Sequence, residues 1–99
     1  MLARVVTFEG ADPSRIDESL DQIRQESESG PPEGVPAKEL LVLLDREAGK
    51  HLFVALFETE DDYRQGDETL NAMSPPVEGG MGHRTNVEKY EVPIHILAS

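Results

Sequence analysis

The chain has 99 residues, with 20 acidic side chains against 9 basic ones, a formal charge of −11 and no cysteine. Such a field repels phosphate backbones and anionic lipid, so nucleic acid and membrane surfaces are poor partners. Disulfides, thiolate catalysis and cysteine-based metal sites are excluded, and the length suits one domain over residues 1–99 built on a single core.

Leu2 to Phe8 reads as a strand, with Leu2, Val6 and Phe8 on one face and Ala3 and Val5 on the other. Arg4 inside this apolar run and Glu9 at its end do not read as a signal peptide, and no apolar run approaches the roughly 20 residues that span a bilayer. With the lack of cysteine, this points to the cytoplasm. Asp12-Pro13 is a helix-start pair, and a helix is expected from Pro13 to about Glu28 with Ile16, Leu20 and Ile23 as its packing stripe. Ser29 to Pro36, with three prolines and two glycines, is a loop.

Leu40 to Leu44 and Leu52 to Phe57 flank the turn-like Asp45 to Lys50, which predicts an antiparallel hairpin. Thr59 followed by Glu60, Asp61 and Asp62 is a capped helix start, so a second helix runs to about Met73 with Tyr63, Gly66, Leu70 and Met73 on its inner stripe. Glycine at 66 points to close approach of that helix to the sheet. Pro75-Pro76 stops the helix, a glycine-rich connection follows, and a long last strand is expected from about Arg84 to Leu97, with a bulge or bend near Glu88 to Lys89.

The order is βαββαβ, an α+β ferredoxin-like arrangement with an antiparallel sheet and two helices on one face. Both hairpin strands are apolar at consecutive positions, which implies a sheet covered on both sides. The chain has no element left for the second side, so a second copy is the economical cover and a homodimer is expected.

The element order, the junction Leu52-Phe-Val-Ala-Leu-Phe-Glu-Thr-Glu-Asp-Asp-Tyr63 and the ending Val87-Glu-Lys-Tyr-Glu-Val92 together resemble the dimeric α/β-barrel superfamily, which includes antibiotic-biosynthesis monooxygenase-like domains. The resemblance implies two sheets facing each other across a barrel that holds a small hydrophobic molecule. It also implies cofactor-free oxygenase-like or isomerase-like chemistry, or no catalysis at all. Oxygenase and haem-degrading members place a tryptophan at the end of the third strand; Phe57 stands there and the chain has no tryptophan, which argues against haem degradation.

His51 alternates with Phe53, Ala55 and Phe57, the strand face expected to line the barrel, and is the first candidate for an acid–base role; an exposed strand-end histidine is the plainer alternative. Tyr63 is a second candidate, as a hydroxyl donor at the pocket mouth, against ordinary core packing. Phe53 and Phe57 are candidate ligand-binding residues. His83 and Arg84 are candidates to meet an anionic group, against a solvated strand start. The three histidines, at 51, 83 and 95, have neither His-x-His nor HExxH spacing, so no metal site is read. Gly79-Gly-Met-Gly82 precedes a strand instead of joining strand to helix, so no nucleotide loop is read and no cofactor is expected. Two functions remain: a protein that binds or converts a small hydrophobic or aromatic molecule, and a non-catalytic structural or regulatory dimer.

Overall fold

The computed structural model describes residues 1–73 and 80–98. The elements are β1 (Leu2–Glu9), α1 (Ile16–Glu26), β2 (Glu39–Asp45), β3 (Lys50–Phe57), α2 (Glu60–Ala72) and β4 (His83–Glu91). The four strands form one antiparallel sheet in the order β2-β3-β1-β4, the ferredoxin-like βαββαβ arrangement. The connections at Pro75-Pro76 and Val77 to Gly79 lie outside the described residues.

Strand register assigns the two faces. Leu2, Arg4, Val6 and Phe8 of β1 stand opposite Phe57, Ala55, Phe53 and His51 of β3, and Leu40, Val42 and Leu44 of β2 continue the same rows. This face lies under the helices. Phe57, fully buried, meets Tyr63 of α2 edge to face with ring centroids 5.5 Å apart, and Val35 and Ala55 complete that cluster. The alternation of His51, Phe53, Ala55 and Phe57, expected to look into a space between two sheets, therefore looks at the protein's own helices. Alternation separates two faces without saying which one the helices take, and both faces of this hairpin are apolar.

α2 sits close to the sheet because Gly66 lets it. A Cβ at this position would stand 2.3 Å from Cε1 of Phe57, inside any permitted contact. The helix begins as its sequence predicts: Thr59 Oγ1 accepts from the Asp62 backbone N–H at 3.1 Å, satisfying one of the unpaired first-turn donors.

α1 differs. Residues 13–15 form a turn and the helix starts only at Ile16, because the Asp12 carboxylate accepts from the N–H and hydroxyl of Ser14 at 3.0 and 2.7 Å and so closes a local turn instead of capping a helix. No Cα of α1 comes within 8 Å of any strand or of α2. Its first turn is tied to the β2–β3 turn by Arg46, which donates to Asp17 at 2.6 Å.

β4 also departs from expectation. It ends at Glu91, short of Leu97; the Val92 N–H still donates to the Met1 carbonyl at 2.9 Å, and residues 93–98 follow outside the strand, since Pro93 removes a ladder donor at the point where a strand would have to continue. The irregularity lies at Thr85 and not at Glu88 to Lys89: Asn86 pairs with Thr7 while Arg84 pairs with Phe8, so one extra residue is fitted into β4. The segment after β4 crosses the end of the sheet, and His95 Nε2 reaches Glu39 at 3.3 Å at the opposite edge.

Candidate functional site

Between the stand-off helix and the sheet lies a cavity of about 560 Å³. Its floor is Val6 and Phe8 of β1, Leu40 and Val42 of β2 and Phe53 and Ala55 of β3; its sides are Ile23 of α1, Leu70 of α2 and Met81. The exposed Arg24, Glu26, Asn71, Met73 and Arg84 also border it and mark its mouth. The volume follows from sequence: short aliphatic side chains at Val6, Val42 and Ala55 do not fill the gap that α1 leaves.

One wall is polar and built from parts distant in sequence. Arg4, only 4% exposed although it sits in an apolar strand, donates through Nε to Asp67 at 2.8 Å and through Nη2 to the Asn71 side-chain oxygen at 2.9 Å. Arg84 Nη1 donates to the same Asn71 oxygen at 2.7 Å. Two cationic donors converging on one atom fix the orientation of the Asn71 amide, since its NH₂ group would be repelled there.

The extra residue at Thr85 is what brings Arg84 to this wall. Val87 and Lys89 stand opposite Val6 and Arg4 on the helix-side face, and strict alternation would give the next place on that face to Thr85. The bulge transfers it to Arg84, a re-aiming that such irregularities commonly produce. Gly82 supports the turn into β4, with φ of 83° and no room for a Cβ, which would stand 2.1 Å from the Glu9 carbonyl oxygen.

Of the residues singled out from sequence, Phe53 and Arg84 border the cavity, while His51, Phe57, Tyr63 and His83 do not. His51 is fully buried, and among the described residues no partner meets either ring nitrogen in good hydrogen-bond geometry, the Met81 backbone lying nearest to that role. Burial pushes its pKa below the ordinary 6.5, with the nearby Met81 backbone opposing the shift and Arg46 adding to it. It is a neutral core side chain. Tyr63 packs between Phe57 and Lys89, whose ammonium lies 4.8 Å from the ring centre; burial and then the Asp67 carboxylate raise its hydroxyl above the ordinary value of 10. His83 is exposed at the start of β4 beside Gly10.

Arg4, Asp67 and Asn71 were not anticipated. Arg4 carried a readable signal: it alternates with Leu2, Val6 and Phe8, so an arginine shares the apolar face that must pack. Asn71 had none, because its role depends on where α2 ends relative to β1 and β4. Among the described residues no group of three or more His, Cys, Asp or Glu is placed to hold a metal ion, and no helix is long and apolar enough to cross a membrane. The chain matches no protein-family model, and no curated protein matches it.

Proposed function

We propose that this is a homodimeric small-molecule protein of the dimeric α/β-barrel type, working in the cytoplasm, which takes a compact, largely apolar molecule into the cavity between α1 and the sheet. The observation that carries the reading is the cavity itself: about 560 Å³, within the roughly 300–1,000 Å³ of small-molecule sites, lined by aliphatic and aromatic side chains with a few placed polar groups. Binding is favoured over conversion by one feature. Among the described residues the bordering side chains include no histidine or tyrosine, and the carboxylate among them is Glu26 at the mouth, so no acid–base pair of these residues converges on the space.

The dimer is supported by the other face of the sheet, where Leu41 and Leu43 are 49% and 47% exposed and no element of the described residues covers them. Covering that face with a second copy leaves the cavity, on the helix side, free for a ligand.

Calorimetric titration with neutral 2-naphthol tests the cavity reading, using wild type and Val42→Trp, which fills the floor. Saturable binding by wild type, lost in a Val42→Trp variant of unchanged circular dichroism, supports it. No binding by wild type, or equal binding by both, contradicts it.

A further inference from the structure

We infer that the cavity's ligand carries a single carboxylate, and that Arg84, positioned by Asn71 and backed by Arg4, receives it. The inference rests on the cavity reading and specifies the chemistry of one end of the molecule.

The charges are the first ground. The chain is strongly acidic, yet among the described residues the charged side chains bordering the cavity are Arg4, Arg24 and Arg84 against Glu26. The sign is locally inverted. Every other arginine has a carboxylate within 4.0 Å; Arg84 has none among the described residues, although acidic side chains outnumber basic ones about two to one. Its side chain donates to Asn71, and among the described residues the rest of its donor fork stays open at the mouth.

The second ground is that two guanidinium groups are drawn together at one neutral oxygen. Like charges held this close repel one another, and Asp67, on the far side of Arg4, offsets only one of them. Arg84 is exposed, so its one hydrogen bond to Asn71 adds little to folding. A bulge nevertheless turns it to this wall. An anion arriving between the apolar floor and the fork would relieve the repulsion.

The class follows from the same features. One uncompensated positive charge in a protein of −11 admits a monoanion more readily than a dianion, and the planar fork of arginine matches the two oxygens of a carboxylate. The apolar floor takes the remainder of the molecule.

The test is titration of the intact protein at neutral pH with 2-naphthoate, 2-naphthamide and 2-naphthyl phosphate, repeated on Arg84→Gln and Arg84→Lys. The acid should bind about tenfold or more tightly than the amide. Arg84→Gln should erase that preference, the acid losing far more affinity than the amide, and Arg84→Lys should recover only part of it. Equal affinity for acid and amide in wild type would overturn the carboxylate assignment while leaving the cavity reading intact. Tighter binding of the phosphate would overturn the monoanion class. Failure of all three to bind removes the cavity reading and this inference together.

Discussion

Gly66 lies directly over the ring of Phe57, so close that the smallest side chain added at 66 would sit 2.3 Å from Cε1. Phe57 is fully buried and cannot swing aside. Alanine ordinarily gains about 1 kcal/mol over glycine within a helix. Here Gly66→Ala should instead destabilise by about 2 kcal/mol and Gly66→Leu by more, because either must push α2 off the sheet. Urea denaturation measures both; an alanine variant as stable as wild type would show that the helix can lift without loss.

Asp67 compensates a buried cation. With Arg4 only 4% exposed, Asp67→Asn leaves its guanidinium without a countercharge and should cost about 2 kcal/mol. Arg4→Met, which removes the charge and keeps the volume, should cost less when combined with Asp67→Asn than the two changes cost separately. Strictly additive losses in a double-mutant cycle would argue against coupling through this ion pair.

His51 should make stability sensitive to mild acid. Its folded pKa is depressed by burial from an ordinary 6.5, so above that value both folded and unfolded forms are neutral there and nothing is lost. As pH falls below it, the unfolded chain takes up a proton that the folded one resists, and stability declines until the folded pKa is reached. His51→Phe fills the site with a ring that does not titrate and should remove this part of the decline. Parallel wild-type and His51→Phe curves between neutrality and mild acid would contradict the assignment.

The open face of the sheet gives the test of association. Leu43 is half exposed in the single chain, so Leu43→Asp should leave the subunit folded. In a dimer closed over this face it buries an unpaired carboxylate, at a cost of several kcal/mol. Light scattering should show wild type at twice the subunit mass and Leu43→Asp at the subunit mass. A wild type that stays monomeric across micromolar concentrations would remove the second copy from the account.

Local chemistry made much of this architecture legible. The hairpin, the Thr59 cap, the loop after α1 and the inward Gly66 all follow from neighbouring residues. The end of β4, the stand-off of α1 and the choice of face were harder, because each depends on contacts between distant segments. Arg84 was singled out as an anion contact from its residue type alone, but its aim comes from the bulge at Thr85, which nothing in the run from His83 to Glu91 announces. His51 shows the converse. Alternation placed it correctly among Phe53, Ala55 and Phe57, and the structure then put that end of the row in the core instead of on the cavity wall.

The most direct test of the central claim is two-dimensional amide NMR of the protein titrated with 2-naphthol. The account requires saturable shifts centred on Val42, Phe53, Ala55 and Leu70, the cavity's floor and side, with Leu41 and Leu43 on the opposite face little changed. Shifts confined to Leu41 and Leu43, or no saturable shift at all, would contradict a ligand site between α1 and the sheet.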